Sequence, residues 1–352
     1  MSNPNLARRT LCEISFDGVD ITKSIRPYLL SCTYTDEEED NADDLQIKLQ
    51  DRDGIWMEQW LIDAVNAAAS GNLKIDAVFV RENWSGGGWD MVLPCGLFEL
   101  DSVDASGPPN ALTIKATALP YSGDARQTKK TKAWEAYYLS GIANEISSKA
   151  GMTCMYESMK DPYYDRAEQY KCSDIDFLSK LCHNSGVSLK VTNNIIVLFD
   201  QQTYEAKDEA LEIVKGGGSY IKYKLAMGSA DTQYASCRVS YVNPENGSCI
   251  EGTANADGED AKSGQVLEIT AKVSSVAEAQ ELAAKSLRDH NKFERTASFT
   301  MPGDPRLVSG VTVRLKGWGG WDHKYIISQA KHSLSGSGYT TQITLRRTLE
   351  GY

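Results

Sequence analysis

The sequence is poor in the residues from which recognisable chemistry is built. Its 352 residues include only four histidines, at 183, 290, 323 and 332. His323 and His332 bracket one expected strand at an odd separation, so they face opposite sides of a sheet and share no site. Eight cysteines (12, 32, 95, 154, 172, 182, 237 and 249) include no CxxC pair, which removes the common zinc spacings and leaves reduced, mostly buried thiols as the expectation. No G-x-S-x-G elbow is present, so a hydrolase nucleophile is missing. The run Gly216–Ser219 lacks the lysine and spacing of a phosphate loop. The 48 acids mark out no pair for glycosidase work. No catalytic residue, metal or cofactor is expected.

Two further absences concern location and partners. No apolar run approaches membrane-spanning length, so no integral membrane segment is expected. The opening MSNPNLARRT has no apolar signal-peptide core, which points to a protein made in a cytoplasm. A net charge of −11 argues against broad nucleic-acid binding, which needs a basic face. The densest charge block, Asp36–Asp40 with Asp43 and Asp44, reads as a solvated loop. Its second reading is a wall that repels phosphate, as a DNA-conducting channel requires.

What is present is short alternating segments divided by turns. Residues 11–21 alternate and turn at Asp17-Gly18; residues 29–35, 45–50, 73–81, 92–103 and 111–118 continue the strand pattern. A helix is expected over Ile55–Ala69, and a basic linker over 122–132. Helices are expected over Trp134–Ala150, over Asp174–Asn184 with Ser173 as N-cap and Gly186 as stop, and over Val276–Asn291 capped by Ser275. A hairpin is read at 187–200, strands at 220–227, 233–242 and 266–273, and a polar loop at 250–264. The last stretch, 295–347, is four strands around the loop KGWGGWDH.

Residues 29–118 and 220–347 read as two copies of one plan. Each has strand, strand, helix, strand, a glycine loop with two tryptophans, and two closing strands. Trp84 and Trp89 flank one loop, Trp318 and Trp321 the other. These four are the interface candidates, as barrel-end packing or as anchors at a protein contact. The fold expectation is mainly β with α+β: two tube-like antiparallel barrels related by duplication, 1–121 and 216–352, with a small α/β domain, 122–215, inserted between them.

Three segments resemble the late control gene D family, the central baseplate hub of contractile phage tails and phage-tail-like particles, and the N-terminal hub part of type VI secretion spike proteins. Asp44, Leu45, Ile47, Leu49 and Asp51 fill the family's opening signature. Gln169, Ser173, Asp174, Phe177, Leu178, Leu181 and Gly186 match its middle motif, although Cys172 stands where a glutamate is common. The closing strands resemble the family's last ones. The resemblance implies a structural protein: a homotrimeric, pseudo-sixfold ring joining a hexameric tail tube to a trimeric central spike. Its implied partners also include other baseplate proteins and the tape measure protein. With the chain ending at Tyr352, no appended wall-digesting domain is expected. Two alternatives stay open: a carbohydrate-binding or adhesin-like tail module using the tryptophan loops, and a cell-wall-degrading tail enzyme.

Overall fold

The computed structural model describes residues 7–60, 73–84, 89–118, 128–228, 232–242, 247–257 and 264–349. Strand β1 (Arg9–Phe16) turns through Asp17 and Gly18, both at positive φ (48° and 78°), into β2 (Val19–Asp20). This is the two-residue hairpin turn that an Asp-Gly pair favours. A helical turn, α1 (Thr22–Ile25), leads to β3 (Leu29–Glu37) and β4 (Asp44–Gln50). Then β5 (Lys74–Glu82), β6 (Met91–Ser106) and β7 (Ala111–Thr117) form an antiparallel meander. Period-2 patterning directs Ile14, Leu45, Ile47, Leu49, Ile75, Phe79, Phe98 and Ile114 into one core. Most of the expected helix Ile55–Ala69 and the centre of the first glycine loop lie outside the described residues.

The middle of the chain builds a second core. Strand β8 (Lys130–Tyr138) runs into α2 (Leu139–Lys149), β9 (Thr153–Tyr156) and β10 (Tyr163–Cys172). Next come α3 (Asp174–Ser185), β11 (Ser188–Thr192), β12 (Ile195–Phe199) and the short helix α4 (Gln201–Glu205). The helix read from Trp134 begins five residues later. Residues 134–138 pair with β10, a strand unread in the sequence, and Trp134 stacks on Phe177 with ring centroids 4.9 Å apart. Helix α3 follows its signals: the Ser173 hydroxyl accepts from the Asp176 N–H at 3.1 Å, and Gly186 closes it at φ 74°.

The last part contains β13 (Leu211–Val214), β14 (Lys222–Met227), β15 (Ser236–Val242), β16 (Cys249–Asn255) and β17 (Val266–Thr270). Helix α5 (Val276–Asn291) follows, with Ser275 accepting from Glu278 N at 3.1 Å, then β18 (Arg295–Pro302), β19 (Thr312–Lys316), β20 (Lys324–Ser335) and β21 (Gly338–Arg347). Residues 250–264, read as a loop, hold strand β16, which pairs along β15. Here β15, β16, β17 and α5 close a small core of their own around Cys237, Val239, Ala279, Ala283 and Leu287. Gly252 permits that packing, because a Cβ there would sit 2.3 Å from the backbone nitrogen of Gln280 on α5.

The two copies are real in topology but differently bounded from the sequence alignment. The paired order β3-β4-β7-β6-β5 recurs as β14-β18-β21-β20-β19. Thus β4 corresponds to β18, not to residues 233–242, and α5 precedes its copy's second strand, whereas residues 55–69 follow theirs. The α5 unit is an insertion between β14 and β18, which sequence order alone disguised. Even the irregularities recur: β6 shifts register between Leu100 and Ser102, and β20 between Ile327 and Gln329. Strands β20 and β3 pair from Gln329↔Glu37 to Ser335↔Ser31, so one mostly antiparallel sheet runs through both copies.

Candidate functional site

The tryptophan loops occupy unlike environments. Trp318 is buried, its ring against Tyr220, Tyr223 and Phe299, and its Nε1 donates to the Ile213 carbonyl at 2.9 Å. Trp321 packs half-buried on the same core. Asp322 gathers the loop by accepting from the Gly317 and Trp318 amides at 3.0 and 2.5 Å. In the other loop Trp84 lies beneath the Arg81 guanidinium, 4.2 Å from its ring centroid, while Trp89 is 79% exposed. Trp318 is therefore a core residue of its barrel, and Trp89 alone of the four stands out as a solvent-facing ring.

The histidines separate as expected. His323 precedes β20, and its Nε2 lies 2.7 Å from Arg295 Nη1. His332 is wholly buried between Tyr34, Phe79 and Tyr339. Its Nε2–H donates to the Leu307 carbonyl at 2.9 Å, leaving Nδ1 to accept from the Tyr339 hydroxyl at 2.7 Å. Burial pushes its pKa down to about 4, so the imidazole is neutral. Among the described residues no group of three or more His, Cys, Asp or Glu side chains could hold a metal, and no helix is long and apolar enough to cross a membrane.

The acidic block is where sequence and structure part most. Asp36, Glu38 and Asp43 are buried to 4%, 3% and 0% exposure. Strand β3 carries the block alongside β20, and the following turn docks on β11: Asp40 N donates to the Leu189 carbonyl at 3.1 Å and Asp43 N to that of Val191 at 3.3 Å. Asp36, Glu37, Glu38 and Glu39 then meet partners from distant parts of the chain. Asp36 accepts from Lys190 and from both the backbone N–H and hydroxyl of Ser309, the latter two at 2.7 Å. Glu37 accepts from Gln329 Nε2 at 2.7 Å. Glu38 receives Arg346 in a two-pronged pair at 2.7 and 2.5 Å. Glu39 takes Lys292 at 2.5 Å, Gln201 at 2.5 Å and Ser188 at 2.7 Å.

Glu205 of α4 closes the network, accepting from Arg346 Nη1 at 2.5 Å, from Arg288 of α5, and from the Leu349 amide at 3.2 Å. Burial opposes the charge on Arg346, yet Glu38 and Glu205 hold its pKa above the ordinary guanidinium value. Burial likewise works against Glu39, but Lys292 and its hydrogen bonds draw it down to about 2. Asp43 goes the other way: burial lifts it to about 6, with Lys190 opposing and Asp36 adding to the rise. An acid run that reads as a solvated loop is thus the joint where both barrel copies, the middle unit and α5 meet. Nothing in the sequence says that Lys190, Lys292 and Arg346, three of its 37 basic residues, converge on this block.

The resemblance motif resolves into local structure of the same kind. Gln169 Nε2 donates to Asp174 Oδ1 and to the Cys172 carbonyl, both at 2.9 Å, and Lys130 reaches Asp174 Oδ2 at 2.7 Å. Phe177, Leu178 and Leu181 fill the middle core. The motif residues fix how α3 leaves β10, where Cys172 contributes its carbonyl and packs half-buried on the middle core. In the opening signature, Asp51 caps the turn that follows β4, accepting from Trp56 and Met57 amides at 3.1 Å each.

Comparisons with known proteins agree with this architecture. A family model described as YQBQ-like matches residues 196–346. The probable baseplate hub protein of Escherichia phage P2 is 27% identical over 183 residues, 51% of this chain and 42% of that relative. The chain thus spans less than half the length of the curated relative it matches. In fold, it resembles the 43 kDa tail protein of prophage MuSo2 from Shewanella oneidensis with a TM-score of 0.71 at 12% identity, covering 96% of this chain and 98% of that one. It also resembles an E. coli protein described as a component of the type VI secretion system, with a TM-score of 0.57 at 10% identity, covering 97% and 78% of the two chains. Signature residues, curated relatives and a whole-length fold match point the same way: the chain is similar in sequence to probable baseplate hub proteins and shares its fold with phage tail proteins.

Proposed function

We propose that the protein is a structural hub of a contractile tail or tail-like injection particle. In this reading three copies form a pseudo-sixfold ring between a hexameric tail tube and a trimeric central spike. The observation that carries it is the recurrence of one five-strand order within a single sheet, β3-β4-β7-β6-β5 and β14-β18-β21-β20-β19. One chain thereby supplies two equivalent positions, and three chains supply six, which matches a sixfold neighbour on one side and a threefold neighbour on the other. The divisions near 122 and 215 then separate the ring-forming parts from the middle unit, with the α5 unit as an insertion in the second. Assembly would take place in the host cytoplasm, with tube, spike, other baseplate and tape measure proteins as partners.

The reading assigns no chemistry to the chain. His332, the most enclosed histidine, is spent on internal hydrogen bonds to Leu307, Tyr339 and Thr341. The carbohydrate-binding alternative is weakened because Trp318, one of the loop tryptophans it would use, lies inside the barrel. Native mass spectrometry of the purified chain, alone and co-expressed with tube and spike proteins, tests the proposal. A trimer that binds both is expected; a chain that stays monomeric and binds neither overturns it.

A further inference from the structure

We infer that neighbouring subunits join through β6 of one copy and β14 of the next, in a seam that repeats the β20–β3 seam inside each chain; this rests on the ring reading above. Strand β20 pairs with β19 up to Ile326, passes its register shift, and offers the same edge to β3. Strand β6 pairs with β5 up to Glu99 and passes the matching shift. Beyond it, the corresponding edge of Ser102–Ser106 meets no strand among the described residues. Strand β14 is the counterpart of β3; it pairs with β18 and, among the described residues, with no strand on its other edge. Among the described residues there is thus one filled seam and, at the equivalent places, two unfilled edges of the same design.

The duplication fixes the register. Gln329 pairs with Thr344 as Ser102 pairs with Lys115, Thr344 with Ser298 as Lys115 with Gln46, and Ser298 with Lys224 as Gln46 with Thr33. Inside the chain Ser333 lies opposite Thr33 and His332 opposite Tyr34. Carried across, Ser106 lies opposite Lys224, Ala105 opposite Leu225, and Val103 opposite Met227.

The hydrogen-bonding phase agrees independently. Glu38 N donates to the Ser328 carbonyl at 2.9 Å, so Tyr34 and Asp36, in phase with it, turn their amides toward β20. Gly228 N donates to the Glu294 carbonyl at 2.9 Å, so Lys222, Lys224 and Ala226 turn toward β18, leaving Tyr223, Leu225 and Met227 aimed at the open edge. Those are the counterparts of Cys32, Tyr34 and Asp36. The side chains fit as well. Tyr223 and Met227 are 52% and 56% exposed in the single chain, and Val103 and Ala105 would meet this row on the core side. On the other face Asp104, paired with Lys115 at 2.7 Å, comes diagonal to Lys224.

Cysteine pairing tests the register. In a Cys249→Ser background, Ala105→Cys with Leu225→Cys should give covalent multimers on mild oxidation, whereas Asp104→Cys with Leu225→Cys, on opposite faces, should not. Hydrogen exchange on the unmodified assembly supplies a readout that needs no variant: amides of Leu225, Met227, Val103 and Ala105 should be protected in the assembly and exposed on dilution to monomer. Met227→Pro, at an exposed position, removes an amide that the single chain does not use in its β18 pairing, so thermal unfolding should be kept while self-association weakens at least about tenfold. A trimer with those amides unprotected and no in-register cross-link overturns the seam and leaves the ring standing. A chain that never self-associates overturns both.

Discussion

Arg346→Met is the most informative single perturbation of this fold. The guanidinium is 1% exposed and is the bridge between Glu38, 3% exposed, and Glu205, 5% exposed. Removing it deprives Glu38 of its ion-pair partner, leaving only the more distant Lys292 charge, while Glu205 keeps Arg288 and the Leu349 amide. Breaking a buried pair from one side costs about 3–5 kcal/mol, because a buried carboxylate remains uncompensated. Replacing both partners with apolar residues of similar volume is often close to neutral. Glu38→Met in the Arg346→Met chain should therefore recover a large part of the loss, giving a coupling of about 1–3 kcal/mol. Urea unfolding at pH 7, followed by tryptophan fluorescence, reads all four corners of the cycle. An Arg346→Met chain within about 1 kcal/mol of the parent, or single effects that simply add, would refute the view that the acid block is a closed ionic joint.

Three other expectations concern separate parts of the molecule. The His332 imidazole is held at about 4, below its ordinary 6.5, so the unfolded chain binds its proton more readily between those values. Its contribution is complete above about 6.5 and lost as pH falls toward 4; thermal scans from pH 7 to 4.5 should show a flatter acid loss in His332→Gln. Asp43, lifted to about 6 from 3.8, tilts the opposite way, favouring the fold more as pH drops, so Asp43→Asn should steepen the acid loss in the same scans. Gly252→Ala puts a methyl against the α5 backbone and should cost about 2 kcal/mol or more, with faster hydrogen exchange confined to residues 236–291. Trp318→Phe forfeits the bond to Ile213 and should lower stability by about 1–3 kcal/mol, whereas Trp89→Ala should stay within about 0.5 kcal/mol, both read by thermal unfolding.

Local signals in the sequence carried far. Ser173, Gly186 and Ser275 mark helix ends where the structure has them, because capping is decided within a few residues. The alternation of Leu45, Ile47 and Leu49 was enough to place β4. Decisions made by distant partners were not legible. Trp134–Tyr138 has the composition of a helix start, yet it is strand because β10 lies beside it. Residues 250–264 read as loop because Gly252 and the polar neighbours hide strand β16, whose face is covered by α5. The tryptophan loops were found as a pair, but pattern does not separate a ring that packs inward, Trp318, from one that faces solvent, Trp89.

The acid block also answers a question that the duplication raises. Backbone pairing is indifferent to side chains, and β3 and β14 are equivalent edges, so β20 needs a reason to choose β3. At the positions where β3 has Asp36 and Glu37, β14 has Met227 and Gly228. Beside β3, Gln329 finds Glu37, Ser333 finds Thr33, and Arg346 on the next strand finds Glu38. None of these pairs could form against β14, and Arg346 would be left buried with Glu205 alone. The polar cluster therefore sets which seam closes within a chain, at the expense of desolvating several charges, and leaves the apolar β14 edge for a different neighbour. Buried ion pairs that add little net stability can still enforce a choice of this kind, since the wrong seam strands a charge. The dense run of acids that reads as surface repulsion is better understood as the element that tells two copies of one design apart.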